Sequence, residues 1–165
     1  MTDSELIDAL HYLGIDETNC RIMVVLPLVQ VAWADGKVQP EERDAIVEIA
    51  KVEDLVHGDG EKVLDGWLAH SPTQEYFSRG HEVLVELARR GGGMGSKVTP
   101  DTIDSIIVYS ENVAKAAGGL FGVLFTVDAR EKRALKEIAE ALKIAPGDPP
   151  ASHAEWDSLV DELDK

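Results

Sequence analysis

The chain has 165 residues, enough for one domain with a well-developed core and too few for two large domains. Its 31 acidic and 16 basic side chains give a net charge of −15, which disfavours nucleic acid and anionic membrane surfaces as partners. Cations and basic protein surfaces are compatible with this charge, although solubility alone explains acidic residues that are spread along a chain. The single cysteine, Cys20, excludes an internal disulfide and a cysteine-rich zinc site.

The sequence contains neither a recognisable secretory signal nor an apolar run long enough to span a membrane. The first residues contain no basic region followed by a long apolar core, so they do not resemble a secretory signal. The longest apolar run, residues 22–33, is interrupted by Pro27 and Gln30 and is too short to span a bilayer. We therefore expect a cytoplasmic protein without direct membrane insertion.

Apolar residues recur at helical spacing along the chain, and no segment shows the sustained alternation of a strand. This pattern predicts an all-α fold of about seven to eight helices in one compact domain, residues 1–145. The expected helices in chain order cover residues 3–13, 17–33 with a kink at Pro27, 40–51, a segment around 63–68, 71–90, 100–118 and 128–144, with a short apolar segment at 120–127. Residues 146–165 are expected to form a linker and a C-terminal helix that packs on the domain, anchored by Trp156.

The helix at 17–33 is apolar nearly all round, which is typical of a central, buried helix. It ends in a short turn at Asp35 and Gly36, and the next helix begins at once with Pro40 in its first turn. Glu42 stands three residues after Gln39, where a capping-box carboxylate would accept a hydrogen bond from the Gln39 backbone. In the same way, Ser71 with Gln74 is expected to cap the helix that follows.

Two segments of the chain are similar to each other. Residues 38–50 align with residues 127–139, with identities at a valine, the first capping glutamate, an alanine, a second glutamate, an isoleucine and a second alanine. The alignment places Glu42 over Glu131. We infer two related helix–turn–helix repeats that pack together as a pseudo-symmetric pair. Asp35-Gly36 of the first copy corresponds to the apolar pair Leu124-Phe125 in the second.

The segment Ala34-Asp35-Gly36, Val38 and Pro40-Glu41-Glu42, with Ile46, Ile49 and Ala50 after it, resembles the TerB-like family of tellurite-resistance proteins. That family is related to the N-terminal domain of DjlA-type co-chaperones, and the similarity covers roughly residues 20–144. The resemblance implies an all-helical fold with a repeated helix–turn–helix, binding of a divalent cation, and a role in stress-response complexes. It also implies that Asp35, Glu41 and Glu42 are metal ligands. Asp128 and Glu131 match the acidic positions of the second copy only in part.

An EF-hand interpretation of the same turn fails, because Val31 and Trp33 occupy positions that need oxygen ligands for calcium. Two interpretations of the turn stay open, and the first is a looser cation site formed by Asp35 with Glu41 or Glu42 and a carboxylate from another helix. In the alternative interpretation, Asp35 is only a turn residue and Glu42 only a cap.

No sequence pattern of an enzyme is found. The five histidines show no HExxH pairing and are expected at the surface or half-buried, at positions 11, 57, 70, 81 and 153. The glycine-rich segment 91–97 lacks the glycine before lysine and the preceding strand of a phosphate-binding loop, and is interpreted as a flexible joint. No Ser-His-Asp grouping or dinucleotide fingerprint occurs.

Three functions follow, in order of support. The first is a non-enzymatic acidic helical domain that binds a protein partner, and its one candidate cofactor is a divalent cation such as calcium. The second is a carboxylate-dependent metal hydrolase, which would need inward-facing Asp, Glu and His residues at helical spacing. The third is a purely structural scaffold.

Overall fold

The structure is a computed structural model, and it describes residues 1–91, 98–118 and 129–142. Within these ranges the chain forms seven α-helices, one 3-10 helix and no strand, which confirms the all-α prediction. The helices are α1 Asp3–Tyr12, the 3-10 helix Cys20–Val25, α2 Leu26–Trp33, α3 Pro40–Val52, α4 Gly60–Ala69, α5 Gln74–Arg89, α6 Pro100–Gly118 and α7 Ala129–Leu142. Residues 92–97 of the predicted joint at 91–97 lie outside the described residues. The same is true of the apolar segment 120–127 and of the linker with its C-terminal helix.

Helix α2 is the centre of the domain. Every residue from Leu26 to Ala32 is buried, as the apolar pattern predicted. The single kinked helix expected here is two elements, because the 3-10 helix ends at Val25 and α2 begins beside Pro27. Proline near a helix start costs no hydrogen bond, since the first backbone N–H groups have no partner within the helix. Helices α3, α5, α6 and α7 all contact α2 and cover it.

The two halves of the chain meet around this helix. Helix α6 packs against both α2 and α3, whereas α7 packs against α2, α5 and α6. Helix α1 closes the other side of the domain through its contact with α5. The similar helices α3 and α7 are therefore joined to one core through α2 and α6. None of the helices in the described ranges is long and apolar enough to cross a membrane.

The start of α5 differs from the sequence prediction. Thr73, and not Ser71, is the N-cap, because the Thr73 backbone is extended and its side chain accepts a hydrogen bond from the Tyr76 N–H at 3.1 Å. The Ser71 hydroxyl instead donates to the Pro72 carbonyl at 3.2 Å. The predicted capping pair of Ser71 and Gln74 is therefore wrong, since a threonine two positions later satisfies the helix end.

A chain of hydrogen bonds ties four elements together beneath the loop that follows α4. The Trp33 indole donates to the Trp67 carbonyl at 2.8 Å, and the Trp67 indole donates to the Tyr76 hydroxyl at 3.0 Å. The Tyr76 hydroxyl in turn donates to the Leu13 carbonyl at 2.5 Å. These bonds fix the end of α2 relative to α1, α4 and α5. Buried indole and phenol groups need such partners, because an unpaired polar group in the core is costly.

The close packing of α5 on α2 generates a test of the fold. A Cβ added at Gly80 would collide with Leu26 Cδ2, and Leu26 is fully buried. A Cβ at Gly66 in α4 would meet no atom within 4 Å. We expect Gly80→Ala to lower the free energy of unfolding by about 1–3 kcal/mol through overpacking. Gly66→Ala should raise it by up to about 1 kcal/mol, since alanine favours a helix over glycine.

Urea unfolding of both variants beside the parent chain measures this difference. Equal stabilisation by the two substitutions would contradict the described contact between α5 and α2.

Candidate functional site

The acidic turn between α2 and α3 is organised by its own residues. Gly36 has a φ of +94°, a backbone conformation that glycine adopts without strain, and its N–H donates to the Trp33 carbonyl at 2.9 Å. Asp35 is half-buried, and its Oδ1 accepts a hydrogen bond from the Lys37 N–H at 3.3 Å. Asp35 therefore has the local role that the turn interpretation predicts.

Glu42 is the third residue of α3 and is fully buried. Its Oε1 accepts a hydrogen bond from the Gln39 N–H at 3.0 Å, which confirms the predicted capping role. Its Oε2 is also buried, and the part of the chain that the structure describes supplies no hydrogen-bond partner for it. Capping therefore explains one oxygen of this carboxylate and leaves the other unexplained.

Glu131 occupies the same place in the second repeat. It is the third residue of α7 and is only 5% exposed. Its charge lies close enough to Glu42 to raise the pKa of that carboxyl. The two glutamates that the sequence alignment superposes are thus both buried, each in the first turn of its helix, and the charge of one acts on the other. We call Glu42 and Glu131 the glutamate pair.

Burial raises the pKa of Glu42 from 4.5 to about 7, although the Gln39 N–H opposes this rise. The negative charges of Glu131, Asp35 and Glu41 add to the increase in the pKa. Two effects are therefore combined, loss of water around the charged form and repulsion between like charges. Near neutral pH the Glu42 carboxylate can hold a proton or pair with a cation.

The predicted metal ligands are only partly brought together. Glu42 and Glu131 are buried, whereas Asp35 and Glu41 are half-buried, and the charges of Glu131, Asp35 and Glu41 all act on Glu42. Asp128 lies outside the described residues. Across residues 1–91, 98–118 and 129–142, no group of three or more His, Cys, Asp or Glu side chains has the geometry of a metal site. The glutamate pair could thus supply two carboxylates to an oxygen-coordinated cation, and water or carbonyl oxygens would have to supply the rest.

Gln30 was not predicted as a site residue. It interrupts the apolar run of α2, is 5% exposed, and has a buried Oε1 without a hydrogen-bond partner in the described ranges. It also lines a cleft between α2, α5 and α7. The signal that could have identified it is a lone amide within a helix that is otherwise apolar on every side.

His81 corrects the prediction for the histidines. It is 6% exposed in α5, its Nε2 has no hydrogen-bond partner within the described chain, and burial lowers its pKa to about 4. The prediction failed because His81 follows Gly80, where α5 packs directly against Leu26 at the start of α2. His11 and His70 are exposed and His57 is half-buried, as expected, and His153 lies outside the described residues.

A second polar cluster lies at the end of α3. Asp54 has a φ of +56° and follows the helix, and its carboxylate pairs with Arg21 at 3.2 Å and with His57 at 3.1 Å. The Leu55 N–H donates to the Ala50 carbonyl at 2.9 Å, as in a common helix C-terminal motif. This cluster closes α3 against the 3-10 helix, and these contacts give it a structural role.

Comparison of the chain with protein-family models, with curated proteins and with solved structures finds no match. The resemblance to the TerB-like family therefore stays a prediction that depends on the residues of the acidic turn and of the two similar helices.

The raised pKa of Glu42 predicts a pH dependence. Between pH 4.5, its ordinary pKa, and about pH 7, its folded pKa, the folded chain binds more protons at this site than the unfolded chain. The stability from this group is therefore present at low pH and is lost as the pH rises through that window. The glutamine variant has no such proton to lose. We therefore expect the unfolding free energy of Glu42→Gln, relative to that of the parent chain, to rise by at least about 1 kcal/mol from pH 5 to pH 8. This rise corresponds to a shift of roughly one pKa unit.

Denaturant unfolding at both pH values, without divalent cations, measures this change. Glu48→Gln is the control, because Glu48 is exposed on the same helix. The titration of His81 is common to all three chains and cancels in the comparison. A stability difference between Glu42→Gln and the parent that does not vary with pH would show that the folded pKa of Glu42 is close to its ordinary value.

Proposed function

We propose that the chain is a non-enzymatic helical binding domain, in which the glutamate pair holds a divalent cation and the acidic surface binds a protein partner. The observation that carries the proposal is the buried Glu42 Oε2, which lacks a hydrogen-bond partner in the described structure. The charge of a second buried glutamate, Glu131, also raises the pKa of this carboxyl.

A cation would resolve the electrostatic conflict at this position. Two buried carboxylates repel each other and lose their hydration, whereas a bound cation attracts both and supplies a partner for the second Glu42 oxygen. The ligand atoms of the glutamate pair are carboxylate oxygens, and such ligands favour calcium, magnesium or manganese over softer metals. Because α3 and α7 each contribute one glutamate, the cation would also link the two repeats.

The protein partner is inferred from charge. The net charge of −15 favours basic surfaces, and α3 exposes Asp44 and Glu48 on the side away from its buried residues. The resemblance to the TerB-like family supports a stress-response role for such a complex, including resistance to tellurite.

The structural scaffold is the second candidate, and it also has a specific observation in its favour. With a pKa of about 7, Glu42 can be protonated, and a proton is enough to relieve its repulsion with Glu131. A carboxylate-dependent hydrolase has weaker support, since such an enzyme needs several carboxylates and histidines directed at one point. Among the described side chains no such group of three is found.

Thermal unfolding of the metal-free chain tests the cation site. Calcium, magnesium, manganese and zinc are each added at matched ionic strength and at pH 7.5. A ligand that binds only the folded chain at a hundredfold excess over its Kd stabilises that chain by about 2.7 kcal/mol. We expect a large rise in the unfolding temperature with one hard cation, and loss of that rise in Glu42→Gln and in Glu131→Gln.

Glu48→Gln is the matched control and should respond like the parent chain, because Glu48 is exposed and outside the glutamate pair. Equal small increases with every cation, retained in Glu42→Gln, would indicate screening of the net charge and would support the scaffold instead.

A further inference from the structure

A cleft of about 360 Å³ opens between the end of α2, the start of α5 and the first half of α7. Its volume lies at the lower end of the range for small-ligand sites, roughly 300–1,000 Å³. Its lining combines aromatic, amide and basic side chains, and the residues used below are Gln30, Trp33, Phe77 and Arg133. The cleft borders the acidic turn at Ala34, but neither Asp35 nor Glu42 lines it.

Gln30, which lines the inner wall of the cleft, carries an unused hydrogen-bond acceptor. Gln30 is 5% exposed, and its Oε1 has no partner in the part of the chain that the structure describes. A buried acceptor left unpaired is unfavourable, because it has lost its hydration without gaining a hydrogen bond. Such a cost is offset when a ligand brings an N–H group to that oxygen. The ligand that fits this wall therefore carries a hydrogen-bond donor.

The α7 side of the cleft is basic, in contrast to the chain as a whole. Arg130 and Arg133 both line it, against one acidic residue, Glu137. Arg133 is exposed, and among the described residues it makes no hydrogen bond or ion pair. Helix α5 also begins at this cleft with Gln74, so its partial positive charge adds to that of the arginines. The group that fits this side is an anion, and a guanidinium matches a carboxylate well.

The third wall is apolar. Phe77 is 4% exposed, and Trp33 is half-buried with its indole N–H already bonded to the Trp67 carbonyl at 2.8 Å. These rings therefore offer apolar surface to a ligand. The hydrogen bonds of Trp33, Trp67 and Tyr76 hold this wall in place before any ligand arrives. A preformed wall lowers the entropy cost of binding.

We propose that this cleft binds the free C-terminal end of a polypeptide. In such a ligand, the terminal carboxylate meets Arg133, a backbone N–H meets Gln30 Oε1, and an apolar last side chain packs against Phe77 and Trp33. A chain end is the ligand that carries an anion, an adjacent N–H and a side chain within one residue. Recognition of chain ends by fixed donors and acceptors is a known mode of peptide binding.

The inference deepens the proposed function, because it rests on the proposal that the domain binds a protein partner and it specifies which part of that partner is bound. It does not depend on the cation. The cleft and the glutamate pair can therefore be tested separately, and failure of one site does not decide whether the other exists.

The experiment uses N-acetyl-leucine, which carries the carboxylate, the amide N–H and an apolar side chain. It is titrated into the full isotope-labelled chain with a chelator present, and shifts are followed by NMR. We expect saturable shifts concentrated at the Gln30 side-chain amide and the Trp33 indole N–H. N-acetyl-leucinamide, which lacks the negative charge, should bind at least tenfold more weakly.

Two variants and one control assign the contacts. Arg133→Gln and Gln30→Leu should each weaken N-acetyl-leucine binding at least tenfold. Lys132→Gln should bind like the parent chain, because Lys132 is exposed on the same helix but does not line the cleft. The backbone spectrum of each variant verifies that it is folded.

Several results would overturn the proposal. Equal binding of N-acetyl-leucinamide would remove the role of the carboxylate, and equal shifts with acetate would reduce the site to an anion contact. Absence of saturation, or unchanged binding in folded Arg133→Gln, would show that the cleft does not recognise a chain end. Absence of cation binding in the parent chain, with the expected peptide results intact, would overturn the cation site and leave the cleft proposal standing.

Discussion

Burial of α2 on every side is the constraint on which the rest of the domain depends. Residues Leu26 to Ala32 leave no face for solvent, so other helices must surround this one. The chain supplies α3, α5, α6 and α7 for that purpose, and they come from both repeats. As a result, Gln30, the polar residue in the middle of α2, is only 5% exposed, at the inner wall of the cleft between α2, α5 and α7.

The same constraint explains why two glutamates lie in the interior. Glu42 must be near the start of α3 to accept the Gln39 N–H, and the start of α3 follows α2 by only a short turn. Capping therefore places a carboxylate beside the most buried helix of the domain. Glu131 takes the same position in α7. Exposed helix-capping glutamates cost little, but here burial and mutual repulsion raise the pKa of Glu42 to about 7.

The sequence predicts the features that depend on local pattern. The apolar circumference of α2, the capping role of Glu42 and the helix starts at Pro40 and Pro100 all follow from neighbouring residues. Features that depend on packing between distant elements could not be predicted. His81 is buried because α5 lies close against α2, and Gln30 faces a cleft because α7 crosses there. The internal repeat superposes Glu42 and Glu131, but only the fold shows that their charges interact.

The two candidate sites use helix starts in opposite ways. At the glutamate pair, the first turns of α3 and α7 carry negative side chains, which are attracted by the positive end of each helix dipole. At the cleft, the start of α5 is accompanied by Arg130 and Arg133, so positive charge is concentrated instead. Helix α7 serves both, since Glu131 points into the core while its neighbours Arg130 and Arg133 line the cleft.

A shift of α7 along or around its axis would therefore move both sites together. Under the proposed function, a cation between α3 and α7 would fix the helix that carries the arginines, and a bound chain end would in turn restrain Glu131. Such coupling must be reciprocal in free energy, because each ligand can alter the affinity of the other only by the same factor.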